Sequence, residues 1–93
     1  MKFFDWNEEK NALLERERGL SFERIMAAVA DGDLLDVLDH PNRERYPGQR
    51  MMVVRIDDYA VLVPFVEEED RVFLKTAIPS RKATRRYLGR DRR

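Results

Sequence analysis

Spacing of apolar residues predicts a helix after Ser21. Four apolar residues follow one another at i, i+3, i+4 and i+7, namely Phe22, Ile25, Met26 and Val29. This spacing places them on one stripe of a helix, which Ser21 begins as N-cap and Gly32 ends. We expect the stripe to pack on a sheet rather than to form a partner groove, because that is the usual role of such a face.

A second helix is predicted before it, and a strand before that. Lys2–Trp6 is short and rich in aromatic residues, which favours a strand. Asn7 is a good N-cap, two glutamates follow in the first turn, and Gly19 is a good left-handed stop. A narrow apolar face on this helix is formed by Ala12, Leu13 and Leu14.

Four strands are predicted in the centre of the chain. Their expected bounds are Leu34–Asp39, Met51–Ile56, Tyr59–Val66 and Arg71–Ile78. A turn at residues 40–42 and a polar loop at residues 43–49 separate the first two strands. The later links have two and four residues, too few for a parallel crossover, so the strands form an antiparallel meander. Pro64 lacks an amide donor and is expected at an edge or a bulge.

The last predicted element is a short C-terminal helix. Pro79 ends the last strand, and Ser80 is the N-cap of a helix that Ala83, Tyr87 and Leu88 would dock on the sheet. Residues 89–93 are expected to fray. The order is strand, two helices, four strands and one helix, so we predict a single α+β domain over residues 1–93 with its helices on one face of the sheet.

Composition excludes several kinds of site. The chain has no cysteine and a single histidine, His40, so thiolate and paired-histidine metal sites are excluded. Its acidic residues are scattered, and we expect neither metal nor cofactor. The first residues do not resemble a signal peptide, and no apolar run approaches the length of a membrane span. The expected location is therefore the cytoplasm.

Positive charge is concentrated at the C-terminal end. Residues 80–93 hold seven Lys or Arg and one Asp, or +6, while residues 1–79 hold 11 basic and 17 acidic groups, or −6. On the predicted helix, Arg81 and Arg85, like Lys82 and Arg86, stand at i and i+4, which costs roughly 0.2 to 0.5 kcal/mol per pair. An anionic partner would explain this pattern, either RNA phosphates or an acidic protein surface. The alternative is a basic tail that only aids solubility.

Three segments of the chain carry a resemblance to a known family, namely Phe4-Asp5-Trp6-Asn7-Glu8-Glu9-Lys10, Gly19-Leu20-Ser21-Phe22-Glu23 and Ile78-Pro79-Ser80-Arg81-Lys82-Ala83-Thr84-Arg85-Arg86. These segments resemble the BrnT toxins of bacterial type II toxin–antitoxin modules. The resemblance covers almost the whole chain. It implies a RelE-like fold with two helices, an antiparallel sheet and a C-terminal helix.

The resemblance also implies a function. BrnT-like toxins are metal-independent ribonucleases that block translation and are silenced by a BrnA-type antitoxin, which alone contacts DNA. The implied catalytic cations are Arg50, Arg81, Lys82 and Arg85, which would act on phosphate charge. Three polar positions of the family are replaced here, by Leu14, Glu17 and Arg18. The alternative function is a catalytically silent module that uses its basic helix to bind a protein or nucleic acid.

Overall fold

A mixed sheet and three helices make up residues 3–89, the part of the chain that the computed structural model describes. The elements in order are β1 (Phe3–Trp6), α1 (Glu8–Arg18), α2 (Phe22–Ala30), β2 (Leu34–Asp39), β3 (Gln49–Ile56), β4 (Tyr59–Glu67), β5 (Arg71–Leu74), β6 (Ile78–Pro79) and α3 (Arg81–Leu88). The α+β class is confirmed. Lys2 and all of the predicted tail except Gly89 lie outside the described residues.

The predicted antiparallel meander is present within a larger sheet. The strand order is β1-β5-β4-β3-β2, and β2 to β5 pair antiparallel in succession. Two further pairings were not predicted: β1 lies parallel to β5, and β6 pairs with β4. Neither pairing joins strands that are connected by a short turn, so the lengths of the links do not predict them. The sheet is therefore mixed and has six strands.

Two predicted boundaries around the strands are wrong. The polar loop ends before Gln49, because Gln49 already pairs with Val66 on β4. The last long strand ends at Leu74 instead of Ile78, and Ile78 then pairs separately with Leu62. A break between β5 and β6 is the result.

Pro64 lies beside this break and not at an edge strand or a bulge as predicted. Its strand β4 is paired on both sides, and Pro64 stands opposite Met51 in regular register. The amide of Lys75 donates to the carbonyl of Pro64 at 2.8 Å, so the backbone of Pro64 faces the β5 side. An amide hydrogen at this position would point at the interruption between β5 and β6. Its absence in proline therefore costs the sheet no hydrogen bond.

The helices cover both faces of the sheet, so the prediction that they cover one face is wrong. On the first face, α1 and α2 pack with Met52, Val54, Val61 and Val63 in the main core. On the second face, α3 packs over Val53, Ala60 and Leu62. Successive residues of a strand point to opposite faces, and runs of consecutive apolar residues occupy Met51–Val54 of β3 and Tyr59–Val66 of β4. Both faces therefore need a cover.

The predicted N-caps of α1 and α2 and the predicted C-cap of α1 are confirmed, whereas α2 ends at Ala30 with Asp31 as its C-cap, one residue before the predicted Gly32. Asn7 Oδ1 accepts from the Lys10 amide, Ser21 Oγ accepts from the Arg24 amide, and Gly19 adopts the left-handed conformation at φ 67°. A buried Asn11, missed by sequence reasoning, joins the two helices. Its Oδ1 accepts from the Phe22 amide and its Nδ2 donates to Glu23, both at 2.8 Å, and the latter bond lowers the pKa of Glu23.

Within residues 3–89, no helix combines the length and the apolar character needed to cross a membrane.

Candidate functional site

The basic helix α3 is anchored to the sheet at its first turn. Ser80 is the N-cap as predicted, with its Oγ accepting from the Ala83 amide at 3.0 Å. Thr84 Oγ1 accepts from the buried amide of Ala60 at 2.9 Å and donates to the carbonyl of Ser80 at 2.7 Å. Ala83 and Thr84 are both buried. The helix is thus hydrogen-bonded to β4 as well as packed on it.

Thr84 was not predicted as a docking residue, because the apolar pattern of the helix identifies only apolar contacts. Its position was nevertheless informative, since it lies one turn after the N-cap and next to Ala83 on the inward side. A polar residue there needs a partner. Of the predicted docking residues, Ala83 is buried, and Tyr87 and Leu88 are half-buried.

Tyr87 anchors the last turn of α3 to the edge strand β2. Its hydroxyl donates to Asp36 Oδ2 at 2.7 Å. This bond lowers the pKa of Asp36 and raises the pKa of Tyr87 from their ordinary values of 3.8 and 10.0. The nearby charge of Arg86 also lowers the pKa of Asp36, to a smaller extent.

Removing the Tyr87 hydroxyl is expected to destabilise the fold in a pH-dependent way. The folded pKa of Asp36 is lowered, so its contribution is present above pH 3.8 and is lost as the pH falls through the folded pKa. The folded pKa of Tyr87 is raised, so its contribution is present below pH 10.0 and is lost as the pH rises through the folded pKa. Urea unfolding of wild type and Tyr87→Phe should therefore differ most near neutral pH and converge at both extremes. An equal difference at acidic and neutral pH would contradict this assignment.

Three cations of α3 face solvent with no acidic partner among residues 3–89. Arg81, Lys82 and Arg85 are exposed, and no ion pair joins their side chains to any other group within residues 3–89. Arg86 differs, because its guanidinium lies 5.6 Å from the ring centre of Tyr87 and acts on Asp36. We call the three exposed cations Arg81, Lys82 and Arg85 the α3 cation cluster. They are three of the four predicted site residues, and all three lie on α3.

Arg50, the fourth predicted site residue, lies elsewhere. It is near the start of β3, with its Nε 3.7 Å from Asp39 Oδ1. It lines an open cleft of about 380 Å³ with Arg43, Glu44 and Tyr46 from the loop before β3. Asp39 is also 3.8 Å from Arg43, so one carboxylate faces two guanidinium groups here.

The sheet separates Arg50 from the α3 cation cluster. Every second residue of a strand points to the same face, so Arg50 shares a face with Met52 and Val54. Their side chains lie on the face covered by α1 and α2. The cluster lies on the opposite face. The structure therefore does not bring the four cations around one phosphate group.

Leu14, Glu17 and Arg18 stand where BrnT toxins have polar residues, and two of these three stabilise the fold. Leu14 is a core residue, only 3% exposed. The Nη1 of Arg18 donates to the carbonyl of Ala77 at 2.7 Å, which ties the end of α1 to the link between β5 and β6. Glu17 is exposed. His40 Nδ1 accepts from the Asn42 amide, so this histidine stabilises its own turn.

The chemistry that α3 offers is the binding of an extended anion by fixed positive charges. Metal ligation is not indicated by geometry: within residues 3–89, no three histidine or acidic side chains are grouped so that they could hold an ion. Searches of protein-family models, of curated protein sequences and of solved structures found no match to this chain.

Proposed function

We propose that this chain is a BrnT-like toxin with a RelE-like fold, which binds cytoplasmic RNA through the α3 cation cluster and blocks translation as a metal-independent ribonuclease. The observation that supports RNA binding is that Arg81, Lys82 and Arg85 have no ion-pair partner among the described residues and lie on a helix that is hydrogen-bonded to the sheet at both ends. A helix held in this way presents its charges to phosphates at little further entropic cost. A BrnA-type antitoxin would silence the protein, and DNA contacts would come only through that antitoxin.

A second candidate function is a catalytically silent binding module on the same fold. The separation of Arg50 from the α3 cation cluster favours it. Cleavage of RNA without metal needs a base, an acid and cations around one phosphate. Binding of a polyanion needs only the cations.

Induced expression without antitoxin distinguishes the two functions. We expect wild type to stop growth and translation and to fragment cellular RNA, whereas Arg81→Gln/Lys82→Gln/Arg85→Gln should allow growth at equal protein level. Growth arrest that persists in this variant would exclude the α3 cation cluster as the site. Normal growth and intact RNA with well-expressed wild type would reject the ribonuclease and favour the silent module.

A further inference from the structure

Both outer strands of the sheet have backbone amides that face away from the sheet. On β2, the His40 amide donates to the carbonyl of Gln49 on β3. Because strand amides alternate in direction, Leu38 also faces β3, and Val37 and Asp39 face outward. No strand within residues 3–89 pairs with this outer side of β2, so its outward amides could bind another strand.

The outward amide of Val37 already has a partner. It donates at 2.8 Å to Oδ1 of Asp36, the preceding residue. The other oxygen of that carboxylate, Oδ2, accepts from the hydroxyl of Tyr87 on α3. Since both oxygens are bonded, the carboxylate is held in place over the edge of β2.

The same arrangement occurs at the opposite edge of the sheet, on β1. The Phe3 amide donates to the carbonyl of Asp70, so Asp5 faces β5, and Phe4 and Trp6 face outward. The Trp6 amide donates to Asp5 Oδ1 at 2.9 Å. Arg71 Nη1 donates to Asp5 Oδ2 at 2.6 Å.

The two edges pair differently with their neighbours, yet on each an aspartate that follows two apolar residues blocks the outward amide of the next residue. β1 pairs parallel with its neighbour, whereas β2 pairs antiparallel. In both cases a carboxylate bonds to the next residue's amide and is held by a side chain of another segment. A strand that approached either edge would meet an anion where it needs a donor, and its carbonyl oxygens would be repelled.

Both edges carry apolar side chains that would make unprotected pairing favourable. Phe3 on β1 is 56% exposed and Leu34 on β2 is 38% exposed. The β2 segment has four apolar residues among six. Exposed apolar edge strands of this kind pair readily with copies of themselves.

We propose that Asp36 and Asp5 close the two edges of the sheet to strand addition, and that the partner they exclude is the edge strand of a second copy of this chain. Edge closure does not depend on RNA binding, because none of the residues involved belongs to the α3 cation cluster. The protein is then monomeric, and loss of the two carboxylates makes it associate through its edges.

Sedimentation velocity of the full chain tests the proposal. Wild type should sediment as a monomer, and Asp36→Ala/Asp5→Ala should reach at least twice the monomer mass as concentration rises. Asp39→Ala is the control for the Asp36 half of the double variant: it removes one charge from the same strand, but its carboxylate contacts Arg43 and Arg50 instead of an amide. Asp36→Asn, which keeps an acceptor oxygen, should also remain monomeric.

The proposal is overturned if the double variant stays monomeric with a native circular dichroism spectrum, or if Asp39→Ala associates equally. Amide hydrogen exchange of wild type gives a test that requires no variant to fold. The outward amides of Val37 and Trp6, which donate to aspartate carboxylates, should exchange at least ten-fold more slowly than the outward amides of Asp39 and Phe4, which do not. Equal exchange at all four positions would show that the carboxylates do not protect the edges.

Discussion

Replacing Arg81, Lys82 and Arg85 together with glutamine is expected to weaken binding of single-stranded RNA about 100-fold at about 0.1 M salt. Each phosphate contact on a single strand contributes about 0.7 to the slope of log affinity against log salt, so three contacts contribute about 2. The variant should therefore lose about 2 from that slope, besides losing affinity. Fluorescence anisotropy of a labelled RNA, measured over a series of salt concentrations, gives both quantities.

The cleft around Arg50 supplies a matched control for this measurement. Arg43→Gln/Arg45→Gln/Arg50→Gln removes the same net charge from exposed positions: Arg43 and Arg50 line the cleft, and Arg45 lies over the ring of Tyr46, which also lines it. Arg50 lies on the other face of the sheet from α3. If the α3 cation cluster is the RNA surface, this variant should lose much less affinity and retain most of the slope. A larger loss in the cleft variant would move the RNA surface to Arg50.

Replacing Phe22 with alanine is expected to destabilise the fold by about 3 to 5 kcal/mol. Phe22 is fully buried, its ring centre lies 5.6 Å from that of Trp6, and its amide donates to Asn11. The substitution leaves a cavity between α2, β1 and the sheet. Since small domains have a free energy of unfolding of about 5 to 15 kcal/mol, much of the stability would be lost. Urea unfolding followed by circular dichroism measures the change.

Phe3→Ala is the control for this substitution. The side chain removed is the same, but Phe3 lies on the edge strand β1 and is 56% exposed. We expect its free energy of unfolding to change by less than about 1 kcal/mol, because little apolar area leaves the core. Similar losses for the two variants would mean that burial of the Phe22 ring contributes no more to stability than an exposed ring at the sheet edge.

Helix ends were the most predictable part of the fold. Asn7, Ser21 and Ser80 are N-caps, and each side chain accepts an amide only three residues ahead. Such contacts depend on neighbours in the chain, so the residue type and its place before a periodic segment suffice to predict them. The two-residue turn at Asp57 and Asp58, both with positive φ, was predictable for the same reason.

The candidate site was predictable only in part. The α3 cation cluster lies on one helix, so its members share a surface whatever the rest of the chain does. Arg50 belongs to a different element, and its place relative to α3 depends on which face of the sheet that helix covers. Two hydrogen bonds, from the Ala60 amide to Thr84 and from the Tyr87 hydroxyl to Asp36, also join distant segments. No local sequence pattern predicts them.

By itself, the sequence determined the helices with their N-caps, the antiparallel order of β2 to β5 and the clustering of positive charge on α3. These features follow from contacts between residues close in the chain or from short links that permit one pairing. The tertiary structure decided the parallel pairing of β1 with β5, the cover of both sheet faces, the separation of Arg50 from α3 and the closing of both edges by aspartate. Each of these depends on segments that meet only in the folded chain, where burial of apolar area selects one arrangement among several that local patterns allow.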